Sequence, residues 1–108
     1  MKRGELYRVS SGSRTDTKKQ RVYAIVSRQE LIDSVYSTLI CAPVYTTHEG
    51  LSTQVEIGPT EGLKHESAIR CDELISIQKN RLTDYIGRLS EVKLYELRTA
   101  LAIAVGLE

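Results

Sequence analysis

The chain has 108 residues, 41% of them hydrophobic and 27% charged, with a formal net charge of +1 at pH 7. This length supports one domain with a modest core, and the near-average composition argues against disorder. The longest apolar tendency, residues 100–107, is far shorter than a membrane-spanning helix, and no apolar run of signal-peptide type follows the N-terminal charges. We therefore expect one cytoplasmic domain over residues 1–108 that makes no membrane contact.

The positive charges are concentrated near the N-terminus. Residues 1–28 hold eight Lys or Arg and two Asp or Glu, whereas residues 29–108 hold seven basic and twelve acidic side chains. This distribution favours an anionic ligand at one end of the molecule and a different partner elsewhere, unless folding intermixes the charges.

The first two-thirds of the chain predicts five or six short strands, which favours a small barrel or sandwich. The strands are marked by alternation of polar and apolar residues or by continuous apolar runs. Pro43, near the end of the predicted strand at residues 38–46, indicates a bulge or an unpaired edge position. Residues 67–77 are expected to form one bent strand or two short ones. The predicted strands are residues 5–9, 22–26, 38–46, 53–57 and 67–77.

Three connecting segments lack a clear strand pattern. Residues 10–20 contain no apolar residue and predict an exposed loop of functional interest. Residues 29–37 fit a loop or a single helical turn, and residues 80–87 are ambiguous.

The C-terminal segment predicts an amphipathic helix. Ser90 suits the N-cap, Leu89 before it is spaced to contact Leu94, and Gly106 ends the pattern. Core packing is the favoured use of the apolar face, and an interface is the alternative. That face consists of Leu94, Leu97, Leu101 and Val105.

Common catalytic chemistries find little support in the residues. His48 and His65 have no Cys or His neighbour at metal-ligand spacing, and no HExxH, CxxC, GxSxG or phosphate-binding glycine pattern occurs. Cys41 and Cys71 lie in apolar strand-like segments, which predicts reduced core thiols, although the two could pair. We therefore expect neither a metal nor a cofactor.

Cleavage of RNA without a metal is a chemistry that needs none of these motifs. RNA carries its own nucleophile, the 2′-OH, so a protein need only move protons and stabilise the charged phosphorane. Arg21 enters a core strand from a loop that contains Lys18 and Lys19. Arginine suits the stabilisation of the phosphorane because its charge is permanent and its planar guanidinium can bind two phosphate oxygens. Taken alone, such a basic loop is more often a solvated surface.

Six segments of the chain, taken in order, form a recognisable series of motifs: KRGELY (2–7), RVYAIV (21–26), CAPVYT (41–46), GLKHES (62–67), KNRL (79–82) and IGRLS (86–90). Together they span nearly the whole sequence. In this order they resemble the MazF/PemK family of toxin ribonucleases, and each matches a family element from the opening Lys-Arg-Gly step to the residues before the final helix.

The resemblance implies a β-rich α+β fold, a small SH3-like (CcdB/PemK-type) antiparallel β-barrel with a C-terminal α-helix, as a homodimer. It implies a toxin of a type II toxin–antitoxin system that cuts single-stranded RNA at short sequences without a metal. The products would carry 2′,3′-cyclic phosphate and 5′-hydroxyl ends. A cognate antitoxin would neutralise the enzyme by covering its RNA groove.

The family's catalytic arginine corresponds to Arg21, and the proline that usually follows it is Val22 here. The hydroxyl partner, a Thr or Ser in the family, corresponds to Tyr45, with Thr46 one place later. Because adjacent strand residues face opposite sides, only one of the two is expected in the groove unless a bulge intervenes. Tyr45 is expected to keep the structural position.

The resemblance also implies that the loop before Arg21 lines an RNA groove, with its basic side chains on phosphates and its polar ones on base edges. His48 would act as an auxiliary acid or stack on a base, or be a surface histidine without a role. The predicted RNA-binding residues are Ser13, Arg14, Asp16, Lys18, Lys19, Gln20, His48, Asp72 and Glu73.

Two alternatives remain open on the sequence. Tyr45 at the hydroxyl position raises the possibility of a barrel that binds RNA or protein without catalysis. The same barrel also occurs in the gyrase poison CcdB, which acts through its C-terminal helix, so a toxin directed at gyrase is the second alternative.

Overall fold

The computed structural model describes residues 1–10 and 20–108, and within these ranges it contains seven β-strands and two α-helices. All strand pairs are antiparallel, in the order β4-β5-β3-β2-β1-β7, with β6 also paired to β3. The sheet curls into a half-barrel, and α2 packs on one of its faces. The elements are β1 (Glu5–Ser10), β2 (Gln20–Ile25), α1 (Gln29–Ile32), β3 (Thr38–Tyr45), β4 (Gln54–Ile57), β5 (Ser67–Arg70), β6 (Ile75–Gln78), β7 (Asp84–Arg88) and α2 (Glu91–Ala104).

The predicted strands are confirmed, and the described residues contain more of them than expected. The segment 67–77 is two strands, β5 and β6, separated by a 3-10 turn at Cys71–Glu73. The ambiguous segment 80–87 contains most of β7, which pairs with β1 through Leu6 and Gly87. Its own residues show little burial alternation, so its strand state depends on this pairing. No helix in the described ranges is long and apolar enough to span a bilayer.

Pro43 lies where β3 changes partners. On one edge β3 pairs with β2, and Pro43 stands opposite Tyr23. On the other edge β3 pairs with β6 up to Cys41 and with β5 from Val44 onward. The proline therefore occupies the gap between two partner strands, where the lack of an N–H costs the sheet no hydrogen bond. Pro43 is therefore unpaired on this side only, and β3 is a central strand rather than an edge strand.

Both faces of the curled sheet are buried. One cluster of core residues lies beneath α2 and includes Leu6, Ala24, Val44 and Ile69, all below one-tenth exposed. Neighbouring residues whose side chains point to the other face of the sheet, such as Ile25, belong to a second cluster there. The continuous apolar runs of β2 and β3 follow from this two-sided burial.

The C-terminal helix is confirmed. The hydroxyl of Ser90 accepts a hydrogen bond from the backbone N–H of Lys93 at 3.2 Å, so it is the N-cap. Leu97 is fully buried in the core, whereas Val105, just past the helix end, is 54% exposed. Core packing is thus the use of the apolar face that the structure shows.

Candidate functional site

A cleft of about 380 Å³ lies between the start of β2, the end of β3 and the segment that leads into β5. Within the described ranges its lining contains three cationic side chains and no carboxylate. Such a surface attracts anions. The lining residues are Arg8, Gln20, Arg21, Val22, Val44, Tyr45, Thr46, Leu63, Lys64, His65 and Ser67.

Strand pairing brings Arg21 beside Tyr45. The register of β2 with β3 pairs Tyr23 with Pro43. Arg21 lies two positions before Tyr23 and Tyr45 lies two positions after Pro43, so the antiparallel pairing places them side by side. The guanidinium of Arg21 donates a hydrogen bond to the carbonyl oxygen of Val44 at 3.4 Å, and its Cζ lies 4.0 Å from the ring centroid of Tyr45. No carboxylate in the described part of the chain forms an ion pair with Arg21.

Tyr45 is held at both its ring and its hydroxyl. A second arginine, Arg70 of β5, places its Cζ 3.9 Å from the same ring centroid. The phenol donates a hydrogen bond to Oε1 of Glu73 at 3.1 Å. The ring thus borders the cleft while the oxygen is engaged by a carboxylate that does not line it.

Thr46 also lines the cleft, next to Tyr45. Strict alternation would place the two side chains on opposite faces. Because β3 ends at Tyr45 and Thr46 begins a bend, the alternation stops between them. Thr46, an exposed residue, therefore adds a hydroxyl to the cleft that Arg21 also lines.

The other predicted RNA-binding residues are distributed unevenly. Gln20 lines the cleft, but His48, Asp72 and Glu73 do not. Asp72 accepts a hydrogen bond from the hydroxyl of Thr53 at 2.5 Å. Ser13, Arg14, Asp16, Lys18 and Lys19 lie outside the described residues.

His48 is turned toward β4. Its Nδ1 lies 3.2 Å from the amide nitrogen of Gly50 and 3.3 Å from Oε1 of Glu56. A neutral Nδ1 accepts a hydrogen bond from the amide, whereas a protonated Nδ1 donates one to the carboxylate. Either state engages this nitrogen outside the cleft.

The structure adds cleft residues that sequence reasoning gave no role, chiefly Arg8, Lys64, His65 and Ser67. Three of them belong to the turn segment 62–67 that resembles the family. The signal was therefore present as a motif, but its chemistry was not evident, because the segment reaches the cleft only through the pairing of β5 with β3.

The cysteines are unpaired core thiols, as predicted. Burial raises the pKa of Cys41 to about 12, and burial together with the charge of Asp72 raises the pKa of Cys71 to about 11. Both thiols therefore remain protonated at neutral pH, which disfavours a nucleophilic role. In residues 1–10 and 20–108 no three His, Cys, Asp or Glu side chains come together as a metal site, and metal independence stays a prediction.

Comparison with known proteins agrees with the fold and the sequence motifs. A model of the PemK-like, MazF-like toxins of type II toxin–antitoxin systems matches residues 2–105. The probable endoribonuclease MazF5 of Mycobacterium tuberculosis is 30% identical over 87 residues, which cover 80% of this chain and 79% of that protein.

Two solved structures show the same fold. The Mycobacterium tuberculosis toxin MazF-mt6 superposes with a TM-score of 0.82 at 25% identity, covering 96% of this chain and 98% of that one. An endoribonuclease in complex with its cognate antitoxin, from a mycobacterial species, gives a TM-score of 0.84 at 26% identity, covering 98% and 95% of the two chains.

Proposed function

The chain belongs to the family of PemK-like, MazF-like toxins of type II toxin–antitoxin systems, and on this premise we propose that it is a toxin endoribonuclease whose cleft binds and cuts single-stranded RNA. The observation that carries the proposal is the position of Arg21. It is a cation without a carboxylate partner in the described residues, in a cleft whose described lining is free of acids. A permanent positive charge in such a cleft suits the binding of a phosphodiester group.

The proposed reaction uses the nucleophile of the RNA itself. The 2′-OH attacks the adjacent phosphorus, the bond to the 5′-oxygen breaks, and the products carry a 2′,3′-cyclic phosphate and a 5′-hydroxyl. Arg21 stabilises the negative charge that develops on the phosphorane, and the hydroxyl of Thr46 donates a further hydrogen bond. His65 lies on the same cleft and supplies an imidazole, the side chain most often used for proton transfer in enzymes.

The partners follow from the family and from the relatives. We propose that the chain acts in the cytoplasm as a homodimer that a cognate antitoxin neutralises. The solved structure of a mycobacterial endoribonuclease in complex with its cognate antitoxin supports the last point.

Cleavage of a defined pool of single-stranded RNA in EDTA tests the proposal, with the 5′-hydroxyl ends sequenced to locate the cut sites. We expect Arg21→Ala to lower kcat by roughly 10²–10³-fold, because it removes the charge stabilisation of the transition state. The matched control is Arg98→Ala, an exposed arginine on α2. In the same assay His65→Ala should lose more activity than His48→Ala.

Three results would count against the proposal. Activity that disappears in EDTA would indicate metal-dependent cleavage. Full activity in Arg21→Ala would remove the assigned catalytic group. RNA that binds but stays intact would favour a non-catalytic module, for which the engaged hydroxyl of Tyr45 is the specific observation.

A further inference from the structure

Arg70 lies on the opposite face of the Tyr45 ring from Arg21. The Cζ atoms of the two arginines are 3.9 and 4.0 Å from the same ring centroid. Two guanidinium groups at these distances fit only on opposite faces of the ring. The strand order agrees, because β3 lies between β2, which carries Arg21, and β5, which carries Arg70.

The two arginines differ in how their charge is used. Arg70 makes ion pairs of 3.3 Å with Glu49 and with Glu73, and donates a hydrogen bond of 2.8 Å to the hydroxyl of Thr47. Arg21 has no carboxylate partner in the described ranges. The charge of Arg70 is thus balanced by two acids, so a phosphate gains little from it, whereas no carboxylate in residues 1–10 and 20–108 balances the charge of Arg21.

Glu73 contacts both Tyr45 and Arg70. Its Oε1 accepts the hydrogen bond of the Tyr45 phenol, and its Oε2 accepts one from Arg70 at 3.3 Å. The side chain of Arg70 is only 19% exposed, and its buried Nε has no acceptor among the described residues. The position of Arg70 is therefore set by the ring, Thr47 and the two carboxylates rather than by a complete set of hydrogen bonds.

We propose that Arg70 is a positioning residue: held by Glu49 and Glu73, it fixes the ring of Tyr45, and the ring fixes the plane of the Arg21 guanidinium in the cleft. The inference rests on the proposed cleavage of RNA. A guanidinium meets two phosphate oxygens only in the right plane, and a misplacement of about 1 Å can reduce a rate about 10²-fold. Cation–π attraction holds a planar guanidinium parallel to the ring.

Cleavage kinetics of an RNA oligonucleotide test the proposal in Arg70→Met and Arg70→Lys. We expect Arg70→Met to lower kcat about tenfold to a hundredfold, with KM within about threefold of the wild-type value. Arg70→Lys keeps the charge for Glu49 and Glu73 but not the flat face, so it should recover only part of the rate. Arg3→Met is the matched control, because Arg3 is anchored on the carbonyl of Val26 beyond the far end of β2.

A double-mutant cycle separates positioning from general destabilisation. If Arg70 acts through the ring, Arg70→Met should cause no further loss of kcat in a Tyr45→Leu background. Losses that multiply fully in the double variant would overturn the proposal.

A readout that needs no activity is the NMR signal of the Arg21 Nε–Hε group. A proton over an aromatic face is shifted upfield, so this signal should move toward its unstacked value in Arg70→Met and stay in place in Arg3→Met. If wild-type protein fails to cut RNA, the proposed function fails and the NMR test still decides the positioning. If wild type cuts RNA while Arg70→Met changes neither kcat nor the Arg21 signal, the positioning role alone is wrong.

Discussion

At the scale of single residues, Tyr45 and Thr46 have different surroundings, and we propose that they share the role that one hydroxyl-bearing residue has in the family pattern. The ring of Tyr45 packs between Arg21 and Arg70, and its oxygen donates to Glu73. Thr46 follows the end of β3 and presents its side chain to the cleft. On the proposed function, the ring orients the arginine, and we expect the hydroxyl beside a bound phosphate to come from Thr46.

This division predicts different results from two conservative substitutions. Tyr45→Phe keeps the ring and loses only the bond to Glu73, so kcat should fall by less than about threefold. Thr46→Val keeps the shape and loses a donor to the developing charge, so kcat should fall at least about tenfold. Steady-state cleavage of one RNA oligonucleotide at saturating substrate measures both kcat values, with melting temperatures as the control for folding. A larger loss in Tyr45→Phe than in Thr46→Val would assign the hydroxyl role to Tyr45 instead.

At the scale of elements, the position of the cleft segment depends on a close approach between two backbones. A Cβ added at Gly87 of β7 would lie 2.0 Å from the carbonyl oxygen of Glu61. Glu61 belongs to the 3-10 turn Pro59–Glu61, and its carboxylate accepts a hydrogen bond from the backbone N–H of Gly58 at 2.7 Å. The turn is thereby fixed against β7, and the chain continues from it to Leu63 and the cleft.

Gly87→Ala should therefore destabilise the fold more than Gly50→Ala. Gly50 has a positive φ of 73° and open space around its Cβ position, so the variant bears only the strain of a left-handed alanine, about 1 kcal/mol. At Gly87 a backbone atom must move, and we expect a loss of about 3 kcal/mol in the free energy of unfolding. Urea denaturation of the three proteins measures the difference, and equal losses would show that the turn is free to shift away from β7.

At the scale of the whole molecule, burial on both faces of the sheet links stability to pH. Burial raises the pKa of Cys41 from 9.0 to about 12, and that of Cys71 from 9.0 to about 11. Burial and the neighbouring Glu5 likewise raise the pKa of Tyr7 from 10.0 to about 12. The folded state thus keeps protons that the unfolded chain releases above about pH 9, so the stabilisation is complete below that pH and is lost as pH rises toward 11–12.

The free energy of unfolding should accordingly decrease between pH 9 and pH 11, measured by urea denaturation under reducing conditions. The slope should be shallower in the double variant Cys41→Ala/Cys71→Ala, which lacks both thiols. A thiol reagent at pH 8 should modify the native protein far more slowly than the unfolded chain. Rapid labelling of the native protein would contradict the deep burial of the two side chains.

The sequence by itself determined the local features and the family. Alternation and apolar runs identified five strand segments, and the N-cap Ser90 with the spacing of Leu94 and Leu97 identified α2. Each of these signals acts over a few neighbouring residues, so it is readable without the fold. The order of six motifs identified the family, and with it Arg21 as the residue to examine.

Only the tertiary structure decided what surrounds Arg21. Arg70 and Glu73 are 49 and 52 positions away from it along the chain, and they reach Tyr45 because β5 pairs with β3 on the edge opposite β2. The same pairing brings His65 to the cleft, while the course of the chain after β3 directs His48 toward Glu56. Contacts of this kind depend on which strands become neighbours, a choice made by the cooperative burial of the whole sheet rather than by any local pattern.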